Sequence, residues 1–306
     1  MLLRHIVYLL EIQMANFKQP AKQNPLMQYM RQPKIYIKLP SQGAFWEHGS
    51  LDYPENGEIP VYSMTAKDEL TFKTPDALMN GQGVVEVIQS CIPNIKDAWK
   101  TPNVDIDAIL IAIRLATYGE MMEISHVVPN TTDTVDHLVD LRQLLDSIYQ
   151  RTTWNEEVVI NDNITCYIRP LTYKHLTDTG LKTFEAQKVM QIVNDDKISD
   201  EDKLVAFNRS FSVMTDVTVK LIADSIFAIK TPDLVVEDPK FILEFVQNAD
   251  KDVFTKIQAR IDELKTANGL QPLTVESTEE QIELGAPATY QVPIGFDNAS
   301  FFGNGS

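Results

Sequence analysis

Two histidines and three aspartates, His126, Asp133, Asp136, His137 and Asp140, fall within fifteen residues of one another. Imidazole nitrogens and carboxylate oxygens are ligands for divalent ions, so this stretch is the best candidate for a metal centre. Asp136 and Asp140, however, alternate with Val135, Val139 and Leu141. That is the pattern of a strand with one face in water, where acidic side chains are ordinary. No metal is expected there. His175 lies close to Tyr173 and Arg169 and could act as a general acid or base, but a histidine without a paired nucleophile carries no mechanism. The adjacent pairs Asp68-Glu69 and Asp195-Asp196 do not converge on a common point in a strand or helix. Both suit helix or turn starts, where carboxylates accept backbone N–H bonds. Gly81-Gln82-Gly83 lacks the later glycine, lysine and hydroxyl of a phosphate loop. No G-x-S-x-G elbow occurs to hold a hydrolase nucleophile. The chain is therefore expected to carry no catalytic, cofactor-binding or metal residues and not to be an enzyme.

The totals narrow the classes further. A chain of 306 residues can bury a sizeable core and is long enough for about two domains. A formal charge of −16 argues against nucleic acid, whose phosphates demand a basic face. Cys91 and Cys166 alone make neither a disulfide framework nor a four-thiolate zinc cage, and they suit a reducing compartment. The apolar run that begins at Met1 is broken by Arg4 and His5 and ended by Glu11, and it has no Ala-x-Ala cleavage site. It reads as a short leader before Met14, so neither secretion nor a membrane anchor is expected.

Against this acidic background, residues 14–38 hold Lys18, Lys22, Arg31, Lys34 and Lys38 and no acid. Such a basic arm either lies on its own acidic body or docks on an acidic neighbour. Period-two alternation at Ile35, Ile37 and Leu39 predicts a strand, with further short strands at 59–64 and 70–72. Val84, Val87, Ile88 and Cys91 recur at helical spacing. Asp105 is expected to cap a helix over 106–118 that ends at Gly119 and is apolar all round, hence buried. Two hairpins are predicted, one over 124–139 turning through residues 129–132, the other over 158–168 around Asn161-Asp162-Asn163. One helix is expected over about 178–194, and another, capped at Ser199, from there to about Ile229. Along the latter, Leu204, Phe207, Phe211, Met214, Thr218 and Leu221 repeat at three and four and are expected to pack on the preceding helix. Shorter helices follow Asp238 and Asp250, the second closing at Gly269. Beyond Gly269 the chain reads as extended. Its aromatics Phe296, Phe301 and Phe302 either fold back or anchor in a partner's groove.

The fold class is thus α+β. A basic arm (1–33) precedes a small mixed α/β domain (34–122), a β-hairpin insertion (123–170), a helical domain (171–268) and an extended arm (269–306). The residues expected to bind partners are Lys18, Lys22, Arg31, Phe296, Phe301 and Phe302.

The order L-P-S-x-G-x-F-W from Leu39, M-T-A-K-D-E-L from Met64 and T-P-D-A-L-M-N-G from Thr74 resembles the baseplate hub proteins of T-even-type contractile-tailed bacteriophages. The match continues through S-C-I-P at Ser90, D-A-W-K at Asp97, D-I-D-A-I-L-I-A-I-R at Asp105 and A-T-Y-G at Ala116. It extends to Y-I-R-P-L-T-Y at Tyr167 and the closing P-I-G-F-D…F-F-G. This resemblance implies a virion structural protein of the tail baseplate hub, made in the host cytoplasm. It would hold other tail proteins through its terminal arms, with three-fold symmetry and hence a homotrimer as one arrangement. A hub or tail assembly chaperone absent from the mature virion is the alternative. A cell-wall hydrolase would need a paired carboxylate site, which no pair here supplies. Some relatives show a cysteine pair near the stretch equivalent to Val128–Thr131; this chain reads V-P-N-T, and no metal is carried over. Neither nucleic acid nor membrane is expected as a partner.

Overall fold

Alternation makes Pro33–Ile37 (β1) a strand with Ile37 buried and Tyr36 exposed, and it pairs antiparallel with Ile59–Tyr62 (β2). The structure, a computed structural model, describes residues 26, 29–72, 80–151, 154–192 and 199–294. Two units divide the chain, 1–32 and 33–306, and every element named below belongs to the second.

Residues 70–72, expected as a strand, instead end the helix Ala66–Phe72 (α1). Local hydrogen bonds decide this. Thr65 donates its N–H and Oγ1–H to Asp68 Oδ2 at 2.7 and 2.8 Å, and Asp68 N–H donates back to Thr65 Oγ1 at 3.2 Å. Gln82–Cys91 (α2) buries Val84, Val87, Ile88 and Cys91, the face that the spacing predicts. Asn103–Tyr118 (α3) is the expected central helix, and every residue from Ala108 to Leu115 is buried. It begins three residues earlier than expected, after Pro102, so Asp105 sits inside its first turn and does not cap it. Gly119 ends it with φ 95°, a conformation that glycine adopts without steric cost.

Met121–Val127 (β3) and Thr134–Asp140 (β4) form the first predicted hairpin, in register from Met121↔Asp140 to Val127↔Thr134. A helix that the alternation concealed follows at once, Leu141–Tyr149 (α4). Asp140 caps it by accepting from the N–H groups of Arg142 and Gln143, and it buries Leu141, Leu145 and Ile148 against α3. Leu141 therefore belongs to a helix face and does not continue the strand.

The second predicted hairpin is Glu157–Asn161 (β5) with Ile164–Ile168 (β6). It does not stand alone. Tyr173–Ile192 (α5) and Asp200–Ser225 (α6) follow, and the chain then returns as Ile226–Lys230 (β7), antiparallel to β6, with Val235–Val236 (β8) at the edge. The helix expected to reach Ile229 therefore stops at Ser225. Ile226, Ala228 and Ile229 are buried as strand residues that satisfy the free edge of β6. A boundary at residue 170 falls between hydrogen-bonded strands of one four-stranded sheet. Pro239–Asn248 (α7) and Lys251–Asn268 (α8), capped by Asp238 and Asp250, cover that sheet with Ile242, Val246, Ile257 and Ile261.

The expected extended arm from residue 269 is folded over much of its length. Leu273–Glu276 (β9) and Thr289–Val292 (β10) pair antiparallel, and between them Glu279–Glu283 (α9) starts on a reciprocal Thr278/Gln281 capping box. Val275, Ala286, Tyr290 and Val292 are buried together with Val128 of the β3–β4 turn. Pro287 and Pro293 lie outside these strands, so neither removes a ladder hydrogen bond. Among the described residues, no helix is long and apolar enough to cross a membrane.

Candidate functional site

The five candidate metal ligands lie on or beside the β3–β4 hairpin but do not converge. His126 stacks on His137 with ring centroids 4.9 Å apart, and its Nε2 meets the Tyr290 hydroxyl at 2.8 Å. Asp136 accepts from Ser125 Oγ at 2.5 Å, Asp140 caps α4, and Asp133 sits in the turn, where its carbonyl accepts from Val128 N–H. Among the described residues, no three metal-ligating side chains group together. Partial burial and the neighbouring His137 lower the proton affinity of His126, and Asp136 opposes them. This cluster joins hairpins: His126 and Tyr290 tie β3 to β10, and Asn130, at φ 63°, donates to the Gly285 carbonyl at 3.2 Å.

His175 is likewise accounted for by structure. Its Nδ1 accepts from Thr172 N–H at 3.3 Å and lies 2.8 Å from Thr172 Oγ1, at the start of α5. Burial pushes its proton affinity down, joined by Arg169, Lys220 and Lys100, while Asp224 opposes them.

The segments that carry the phage resemblance build buried polar knots. In the L-P-S-x-G-x-F-W loop, Ser41 donates its N–H and Oγ–H to Asp105 at 2.8 and 2.5 Å, and Trp46 Nε1 donates at 2.8 Å. To aim these donors the loop places Gln42, Gly43 and Phe45 at positive φ, an uncommon conformation for the two that are not glycine. Burial pushes the Asp105 carboxyl up to about 6, while the Ser41 and Trp46 bonds pull it down. At neutral pH it is the carboxylate that three donors fit. In M-T-A-K-D-E-L, Asp68 receives Thr65 and also Ser90 Oγ at 3.0 Å, joining α1 to α2. In A-T-Y-G, Thr117 Oγ1 accepts from Met64 N–H at 3.0 Å and so joins α3 to the end of β2. In D-A-W-K, Asp97 caps a single 3₁₀ turn, and Trp99 stacks on Tyr173 at 5.8 Å. Asp68 and Asp105 are buried, and the bonds that Ser41, Trp46, Thr65, Ser90 and Thr117 make to them or to backbone join the segments of the fold to one another.

Beside the Asp105 knot lies a cleft of about 940 Å³, lined among others by Lys38, Phe45, Tyr53, Tyr149, Arg151 and Trp154. Its aromatic wall, with Phe45 and Trp154 edge-on at 6.3 Å, suits an inserted side chain or loop.

The largest departure from expectation lies on α6. Leu204, Phe207, Phe211 and Met214, expected to pack on α5, are 61, 42, 66 and 41% exposed. The two helices meet instead through Ser210, which is buried and donates its Oγ–H to the Ala186 carbonyl at 2.7 Å. A small hydroxyl lets the backbones approach closely and leaves the larger side chains outside.

A family model described as T4 bacteriophage base plate protein matches residues 32–285. The chain belongs to that family. No curated protein and no solved structure matches it. As a T4-type baseplate protein it has a structural role in the virion tail and interacts with other phage tail proteins. The match spans all the inward-facing knots described above, together with α5 and α6. Of the residues expected to bind partners, Arg31 is half-buried, and Lys18, Lys22, Phe296, Phe301 and Phe302 lie outside the described residues. The exposed face of α6 is the surface that sequence reasoning missed. One signal could have found it: from Leu204 to Val219 the only charged residues are Arg209 and Asp216.

Proposed function

We propose that this baseplate protein is a structural subunit of the tail hub, holding its neighbours through residues at its two ends and transforming no molecule. The observation that carries this reading is the inward aim of its most distinctive residues. Asp105, Ser41, Trp46, Asp68 and Thr117 are all bound to one another or to backbone inside the fold. A protein whose distinctive residues shape its own body acts by presenting surfaces. Lys18, Lys22 and Arg31 at one end, and Phe296, Phe301 and Phe302 at the other, supply the charge and aromatic anchors for docking. Three copies around the tail axis fit such a role.

Mass spectrometry of purified virions tests it. Amounts stoichiometric with other tail proteins support the hub subunit. Presence during assembly and absence from finished particles would instead mark a chaperone, a reading that the charge of −16 favours through basic clients. Deleting residues 296–306 is expected to leave the body folded, by circular dichroism, and to lower incorporation into particles. Loss of the fold would place those aromatics in the core and defeat the docking role.

A further inference from the structure

We infer that the exposed face of α6 pairs with the same face of α6 in a second copy of this chain. Leu204, Phe207, Phe211, Met214, Thr218 and Leu221 follow one another at steps of three, four, three, four and three. These are alternating a and d positions of a heptad, the spacing by which one helix seats its side chains between those of another. The first four are between 41 and 66% exposed. The two phenylalanines alone leave on the order of 200 Å² of ring surface open, taking about 200 Å² for a whole side chain. With Leu204 and Met214 added, the patch reaches the size at which exposed apolar surface marks an interaction site.

Three observations point to a second copy as the occupant. First, a seam of this kind needs a matching seam, and α3 and α8 have none open. In α3 the corresponding residues are sealed in the core, and in α8 Ile257, Ile261 and Leu264 are buried against the chain's own sheet. An identical α6 brings the same spacing. Second, on the flank of the seam away from α5, where charges ordinarily select a different partner, the residues are Asn208 and Thr215. Arg209 and Asp216 lie seven residues apart on the side of the helix away from the seam. Third, copies that each carry −16 repel one another, so an uncharged band is where they approach at least cost. This inference does not depend on the hub assignment, since a baseplate protein outside the hub would present the same face.

Sedimentation of the full chain over a wide concentration range tests it. A concentration-dependent doubling of mass or higher self-association is expected. Phe211→Asp is expected to weaken it by roughly thirtyfold or more, as for loss of a central aromatic anchor, with an unchanged far-UV spectrum. Arg209→Glu, on the opposite side, is expected to leave it intact. In a parallel pair Phe211 meets its own copy, and in an antiparallel pair, where a positions layer on d positions, it faces Met214 of the second copy. Phe211→Cys alone in the first case, or combined with Met214→Cys in the second, is therefore expected to form a disulfide-linked dimer under oxidised glutathione, while the native Cys91 and Cys166 are buried. A chain that stays monomeric throughout would overturn the inference and hand the seam to another tail protein or to a terminal segment of this one. Self-association of undiminished strength in Phe211→Asp, or no cross-link through either Phe211→Cys or the double variant Phe211→Cys with Met214→Cys, would overturn it as well.

Discussion

Helices α3 and α6 repeat apolar residues at the same three and four spacing and meet opposite environments. Around α3, two strands and helices α2 and α4 close on every side, and Ile109, Ile111 and Ile113 reach no solvent at all. Over residues 201–216 of α6, Ser210 alone is buried. What separates the two is what the chain brings alongside. α3 is pinned at its start by the Ser41–Asp105–Trp46 knot and near its end by Thr117, so strands and helices are gathered round it. The first half of α6 is joined to α5 through one small hydroxyl. A helical hydrophobic pattern thus says that a face will be covered, and leaves open whether the cover comes from the same chain.

Changes to the two helices should separate these environments, starting with the knot. Asp105→Ala leaves three partly buried donors without an acceptor and is expected to destabilise the protein by about 3–5 kcal/mol, read from urea unfolding. A loss under about 1 kcal/mol would mean that the loop relaxes freely and does not organise α3. Ile109→Ala opens a cavity in sealed surroundings and is expected to cost about 2–4 kcal/mol. By contrast, Phe211→Ala in monomeric protein should shift stability by no more than about 0.5 kcal/mol. Equal effects at the two sites would erase the contrast. Ser210→Ala removes the bond to Ala186 and is expected to cost about 1 kcal/mol, with faster hydrogen exchange confined to α5 and α6. If exchange quickens across α3 too, the two regions are one cooperative unit.

The smallest expected effect comes from His126. Its folded-state proton affinity lies below its ordinary value of 6.5, so the folded form binds fewer protons than the unfolded one. The stability this provides is present above about 6.5 and fades as pH falls through the lower, folded-state value. The protection of β9 and β10 amides, relative to the unstructured exchange rate at the same pH, is expected to fall on acidification, and Tyr290→Phe should lower it in the same hairpin at neutral pH. Protection in β9 and β10 that ignores pH would detach the histidine pair from this contact.

Much of the architecture was legible in the sequence, because its signals were local and strong. The α2 and α3 faces, both hairpins and the caps at Ser199, Asp238 and Asp250 all rest on residues within one or two turns of each other. The misreadings share a cause. Residues 70–72 and 226–230 have ambiguous local preference. The first became helical through the Thr65–Asp68 bonds, the second a strand because β6 offered an edge sixty residues away in sequence. Leu141 continued the β4 alternation by coincidence, and only Asp140's bonds to the next turn break it. For the candidate site, the residues that could have done chemistry were all visible; their separation into a capping aspartate, a stacked pair and a turn was not.

By itself the sequence determined that this is an acidic α+β chain with one helix buried on every side, free of the familiar nucleophile and phosphate motifs, and carrying segments like those of phage baseplate proteins. Those properties follow from composition and short-range spacing, which act before any long-range contact forms. Tertiary structure alone decided that Asp105 is a buried acceptor and not a cap, that residues 273–292 fold onto the β3–β4 turn, and that the α6 stripe faces outward. Each of these depends on which distant surface arrives beside a residue, and burial is a property of the neighbours and not of the residue alone.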